Sequence, residues 1–366
     1  MESIDQLKSR KVRIKSENMR EVALLVEQLR QKPMLRYLFV ELTNRCNLKC
    51  MHCGSSCAPD KGDVLDRDLI CRTLQTVADD FGTQQVMICL TGGEPMLHPQ
   101  FWEIIDFIHK LGFPWGMTSN GTLIQDGEAK RLLQSGMGSI SLSLDGLEKS
   151  HDALRRTPGS FAKTIRGLRA LQALNFPVQI TSVIHKKNFS ELQELFDLMT
   201  ELKVDSWRAI NIEPIGRALD NSDLLLSREE FFELLRFIRE KRFDRNVPFE
   251  VCYGCSHYLS FEYEHELRDH YFFCASGLLV GSILSNGDIF SCLDIERRPE
   301  LIQGNIAADR FSDVWKNRFE AFRADRSELC EECRNCSEKS FCRGDSTHTW
   351  DFDRNRPMMC VLRKQW

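Results

Sequence analysis

Between residues 36 and 214 the chain alternates short apolar runs with longer stretches in which apolar residues recur every three or four positions. The short runs, at 37–42, 85–91, 115–119, 139–144, 178–184 and 207–213, read as strands. Between them, Phe101, Ile104, Ile105, Ile108 and Leu111 share one helical face, and Leu192, Leu195, Phe196, Met199 and Leu202 share another. Strand and helix in alternation predict βαβ units around a parallel sheet, since parallel neighbours need a crossover. Six such strands predict an α/β partial (β/α)6 parallel barrel. Its chemistry belongs in the loops at the carboxyl ends of the strands.

Ser227 followed by Glu230 forms a capping-box pattern that opens a helix to about residue 243, and Pro248 then breaks the periodicity. We therefore expect a helical N-terminal extension at 1–36, a barrel at 37–245 and a small second domain at 246–366. In that last part, apolar runs at 278–284 and 289–293 flank Asn286-Gly287, a hairpin signal. The segment is cysteine-dense and loop-rich, so metal is expected to supply much of its folding energy. Lys8, Arg10, Lys11, Arg13 and Lys15 of the N-terminal helix read as a solvated face.

With 366 residues and 42% hydrophobic content the chain can bury a large core, and a net charge of -4 gives no reason to expect a nucleic acid partner. No apolar run approaches the roughly 20 residues that span a bilayer, and no secretory h-region follows Met1. A cytoplasmic protein without membrane attachment is expected. Fifteen cysteines change the picture, because an odd number cannot all pair and most of them cluster. Only Cys71 and Cys89 stand apart, so metal ligation is the better explanation of the rest.

Cys46, Cys50 and Cys53 follow the first strand, and three thiolates within eight residues can wrap one face of an iron–sulfur cluster. Three ligands leave one iron open for reaction; Cys57 could close the site instead and make it structural. Thr91-Gly92-Gly93-Glu94-Pro95 ends the second strand, Thr118-Ser119-Asn120-Gly121 the third, and Ser141 to Gly146 the fourth, with Arg155 beyond. The two glycines would let backbone approach a ligand, and Glu94 would pair with an ammonium group. Taken in order over residues 37–218, these segments resemble the radical S-adenosylmethionine (SAM) family. The resemblance implies a [4Fe–4S] cluster on Cys46, Cys50 and Cys53, with SAM at its open iron. It further implies that Glu94, beside Gly92 and Gly93, meets the SAM amino group, that Ser119 and Ser143 approach the ribose, that Arg155 meets the carboxylate, and that His52 approaches the adenine. Cys57 and Cys89 are candidate hydrogen-atom donors to a substrate radical, although small apolar packing is the plainer role for Cys89.

Cys274, Cys292, Cys333, Cys336, Cys342 and Cys360 resemble the SPASM or twitch extension of that family. The resemblance implies one auxiliary cluster on Cys333, Cys336, Cys342 and Cys360. A second would use Cys274, Cys292 and a cysteine four residues after Cys342, where this chain has Ser346. That second site is then absent, left open, or rebuilt with Cys255 or Cys330; rebuilding is the expectation, since Cys252 and Cys255 lie just ahead of Cys274.

What the resemblance implies for function is reductive cleavage of SAM to a 5′-deoxyadenosyl radical that abstracts hydrogen from a substrate. Members with this extension mostly modify ribosomally made peptides by crosslinking or epimerisation, so a peptide substrate and a flavodoxin- or ferredoxin-like electron donor are expected. The chain has no attached peptide-recognition domain ahead of the barrel, so leader recognition is expected from a partner or the N-terminal helix, or not at all. The alternatives are a small-molecule enzyme of tetrapyrrole, cofactor or sugar synthesis and, from another class, a non-catalytic metal-stabilised binding protein.

Overall fold

In the computed structural model, which describes residues 4–254 and 257–363 with side chains from residue 10 onward, the first expected strand is Tyr37–Glu41 (β1). It buries Leu38 and Val40 under the helices, while Phe39 and Glu41 take the opposite facing. Met87–Thr91 (β2), Trp115–Ser119 (β3), Met137–Ser143 (β4), Gln179–Ile184 (β5) and Ser206–Asn211 (β6) follow, each parallel to its predecessor. Arg67–Phe81 (α2), Phe101–Leu111 (α3), Asp126–Gln134 (α4), Glu148–Arg155 (α5), Ser160–Gln172 (α6) and Leu192–Leu202 (α7) are the crossovers. The predicted apolar stripe of α3 is buried along Phe101, Ile104, Ile105 and Ile108, and Leu195 and Met199 of α7 have no exposed surface. The capping box opens Arg228–Phe243 (α8) as expected, with Ser227 accepting from the Glu230 backbone and Glu230 accepting from that of Ser227.

Two elements depart from expectation. Glu250–Tyr253 (β7) lies beyond the expected boundary at residue 245 yet pairs parallel with β6, matching Arg208 to Cys252. Four residues after a proline are too few to show a period, and the edge of β6 is what makes them a strand. The expected hairpin exists as Val280–Ile283 (β8) and Asp288–Phe290 (β9), but β8 also pairs parallel with β1, and Gly304–Asn305 (β10) extends the sheet beyond β9. The outcome is one open sheet of ten strands in the order β10-β9-β8-β1-β2-β3-β4-β5-β6-β7. The cysteine-rich C-terminal domain is therefore built onto the edge of the barrel sheet, which brings it to the lumen.

Ile4–Gln31 (α1) lies on that C-terminal domain. Met19 packs with Tyr258 and Phe272, and Val26 and Leu29 with Leu278. Of its basic residues, Lys11 and Arg13 are exposed as expected, whereas the Lys15 ammonium donates to the Glu262 carbonyl at 3.0 Å. Among the described residues no helix is long and apolar enough to cross a membrane.

Candidate active site

The loop after β1 places Cys46, Cys50, Cys53 and Cys57 along one cavity of about 350 Å³ at the carboxyl ends of the strands. The four thiols differ in what they meet. Cys46 Sγ accepts from the Leu48 backbone N–H (3.4 Å), Cys53 Sγ from that of Cys57 (3.4 Å), and the Arg155 guanidinium faces Cys50 Sγ at 3.7 Å. Cys57 is instead a donor, toward the Ser55 carbonyl (3.7 Å) and Glu41 Oε1 (3.9 Å). Its thiol also donates to Cys53, which lowers the Cys53 pKa and raises that of Cys57, so negative charge settles on Cys53. Burial pushes Cys46 and Cys50 above the ordinary thiol range, an obstacle that cluster iron removes by holding thiolates directly. Three sulfurs supplied with N–H donors and a fourth that donates are what an open three-thiolate cluster needs.

Gly92 and Gly93 also line this cavity, but their lack of a side chain serves the cluster loop first. A Cβ on Gly93 would lie 2.2 Å from the Arg45 carbonyl oxygen, and one on Gly92, at φ +154°, 2.5 Å from that of Thr43. The two backbones are tied at this approach by Gly93 N–H to Thr43 (2.7 Å) and Glu94 N–H to Arg45 (3.0 Å). The expected reason for these glycines, approach to a ligand, is thus joined by approach to the protein's own backbone.

Glu94 and Arg155, expected at the two charged ends of SAM's methionine, both have partners within the protein. Glu94 has no exposed surface and does not line the cavity; its carboxylate accepts from Ser119 Oγ at 2.9 and 3.0 Å and from the Asn120 backbone at 2.9 Å. Burial pushes its carboxyl up to about 7 against these hydrogen bonds. Ser119 and Asn120 are the residues it presents to the cavity. Arg155 does line the cavity, but its Nε and Nη2 donate to Asp145 at 2.8 and 2.6 Å. Ser143 and His52 also line it, and burial lowers His52 to about 4, so the ring is neutral. Cys89 is not part of the lining although Thr91, two residues on, is; burial alone raises its thiol to about 12.

The far wall holds residues that no motif signalled: Arg208 and Ile210 on β6, Glu213 and Arg217 after it, and Asp294 and His348 from the C-terminal domain. His348 Nε2 lies 3.5 Å from Glu213 Oε1. Burial opposes charge on His348, but Glu213 and Asp294 outweigh it and hold the ring up to about 10. Arg297 of the same domain pairs with Glu41 at the end of β1 (2.9 Å).

In the C-terminal domain, Cys333, Cys336, Cys342 and Cys360 line a second cavity of about 430 Å³. Four thiols around one such cavity suit a polynuclear cluster. Cys330 is buried beside Cys333 with Arg363 Nη2 at 3.5 Å. Cys274 is elsewhere, its Sγ accepting from the Thr347 backbone (3.4 Å) and 3.3 Å from Thr347 Oγ1, and Cys292 packs at the edge of the main core. Ser346 is fully buried with its hydroxyl 2.7 Å from that of Thr349. Cys252 faces the β6 side of the sheet beside Arg208, and Cys255 lies outside the described residues. Of the two expected replacements for the missing ligand, Cys330 lies beside Cys333 and not with Cys274.

Comparison with known proteins agrees with this geometry. Residues 40–199 match the radical SAM superfamily and residues 274–337 the iron–sulfur cluster-binding SPASM domain. The chain is 30% identical to the mycofactocin maturase MftC of Mycobacterium tuberculosis over 83% of this chain and 76% of that protein. It is 29% identical to an AdoMet-dependent heme synthase of Methanosarcina barkeri, over 84% of this chain and 90% of that one. SuiB of Streptococcus suis, solved bound to S-adenosylmethionine, shares the fold with a TM-score of 0.69 at 20% identity, covering 85% of this chain and 73% of SuiB. The cofactors of the present chain are SAM with a [4Fe–4S] cluster, and auxiliary iron–sulfur in the C-terminal domain. The chain belongs to the radical SAM superfamily and is an enzyme of its SPASM-containing branch.

Proposed function

We propose that the chain is a peptide-modifying radical SAM enzyme of the cytoplasm, in which Cys46, Cys50 and Cys53 hold the SAM cluster and the barrel lumen presents one residue of a ribosomally made peptide. The observation that carries the catalytic part is the division of the four loop thiols into three that meet N–H donors and one, Cys57, that is itself a donor. When bound, the reduced cluster and SAM supply a 5′-deoxyadenosyl radical. The protein's part is to hold SAM between His52, Ser119, Asn120 and Ser143, and to close the lumen with Leu293, Asp294 and His348. Similarity to mycofactocin maturase and to a PqqA peptide cyclase supports the peptide.

A second reading, chemistry on a tetrapyrrole, is favoured by the likeness to heme synthases and to an Fe-coproporphyrin III synthase. One experiment separates the two. The reconstituted chain is supplied anaerobically with SAM and reduced flavodoxin, and then either with a short peptide encoded beside its gene or with Fe-coproporphyrin III. Mass change in the peptide together with 5′-deoxyadenosine formation is the expected result; mass change in the tetrapyrrole alone would overturn the peptide assignment.

A further inference from the structure

The lumen carries positive charge that the protein itself does not pair. Three of the cations around it have partners: Arg155 is bonded to Asp145, Arg297 to Glu41, and His348 lies against Glu213. Arg208 has none; among the described residues its side chain makes no ion pair or hydrogen bond, and its Nε is buried without an acceptor. A guanidinium always carries its charge, and Arg208 is half-buried along the cavity wall with only its Nε shut off from water, so the rest of its fork is open to an anion entering the cavity. Asp294 is close enough to feel Arg208 but makes no ion pair with it.

The position of Arg208 says which ligand it meets. It lies mid-strand on β6, opposite Thr181 of β5 and Cys252 of β7, with Ile210 following it toward the cavity mouth. The cluster loop has a different arginine, Arg217, whose Nε donates to the Cys50 carbonyl at 2.7 Å and whose Nη2 is also buried without an acceptor. SAM's own carboxylate, held next to the cluster, therefore has Arg217 at hand, and Arg208 is left for a group arriving deeper in the lumen. We propose that Arg208 anchors a carboxylate of the substrate, through the planar fork that a guanidinium offers a carboxylate. The inference rests on the reading of this lumen as the substrate site. It narrows the substrate to one bearing an acidic group within reach of the carbon that loses hydrogen.

Glutarate and its neutral diamide, glutaramide, are suitable probes, titrated anaerobically by calorimetry into the iron-loaded, SAM-bound chain. We expect glutarate to bind and glutaramide to bind roughly 10-fold more weakly or worse. Arg208→Met should weaken glutarate by about 10-fold or more and weaken SAM far less. Arg208→Lys, which keeps the charge without the fork, should lie between, and it serves as the measure should the methionine variant fail to retain its iron. Equal glutarate affinity in wild type and both variants, or no glutarate binding in wild type, would overturn the proposal. So would a loss of SAM affinity equal to that of glutarate, since Arg208 would then serve SAM. If wild type forms no 5′-deoxyadenosine, it is the radical reading that fails, and the glutarate result stands apart from it.

Discussion

Arg155, in the lining of the active-site cavity, and Asp145 behind it form a two-point ion pair, with N–O distances of 2.8 and 2.6 Å and only 7% and 1% of their side chains exposed. Asp145 also accepts from the Val183 backbone at 3.0 Å, so one carboxylate ties α5 to β5 while Arg155 reaches on toward Cys50. The pair is thus a strut under the cluster loop as well as a candidate SAM contact.

Breaking the strut on one side should be costly. Arg155→Met leaves a buried, uncompensated Asp145, and such losses run to about 3–5 kcal/mol. The double variant Arg155→Met with Asp145→Asn should be more stable than that sum of single effects predicts. Chemical denaturation of the four proteins measures the coupling, and strict additivity would refute the strut.

Cluster ligation should divide the loop cysteines three to one. Cys50→Ala should abolish reductive cleavage of SAM, and Cys57→Ala should retain it, because Cys57 is a hydrogen-bond donor beside the site. Loss of the cluster spectrum in Cys57→Ala would show that four cysteines bind it.

A methyl group should not be tolerated at Gly93. Its Cβ would overlap the Arg45 carbonyl and come within 2.9 Å of Cys46 Cβ. Gly93→Ala should cost about 1–3 kcal/mol or more by overpacking and displace the cluster loop. Iron should be lost from the SAM site while the C-terminal cluster remains, as read by iron content and electron paramagnetic resonance.

Iron content also bears on the C-terminal domain. Among the described cysteines of that domain, Cys333, Cys336, Cys342 and Cys360 share a cavity and Cys274 is bonded to Thr347, so the reconstituted chain should hold ~8 iron atoms, one four-iron cluster at each site. A count of ~12 that falls in a Cys274→Ala, Cys292→Ala double variant would reverse this.

Stability should fall on the alkaline side through His348. Its folded pKa, about 10, lies above the ordinary histidine value of about 6.5, so the protonated ring stabilises the fold fully below that value. The contribution is lost as pH rises from about 6.5 to about 10. Thermal unfolding across that range should show a steeper decline in wild type than in His348→Gln, and equal slopes would remove His348 from the account.

What the sequence determined by itself is the part governed by near neighbours along the chain. The faces of α3 and α7, the capping box at Ser227 and the close spacing of Cys46, Cys50 and Cys53 depend on helix geometry and on a single loop, and all are legible in order. The tertiary structure decided which groups satisfy which. Glu94 is bound by Ser119, 25 positions away, because adjacent parallel strands bring their carboxyl ends together at separations no periodicity reports, and Arg155 at the end of α5 folds back on Asp145 in the loop after β4. In the same way β7 is a strand only against β6, and the C-terminal hairpin reaches the lumen only because β8 lies on β1. Arg208 is the sharpest case: its residue type and strand were visible in the sequence, but that its side chain has no ion pair among the described residues follows only from the packing of three strands and a second domain around one cavity.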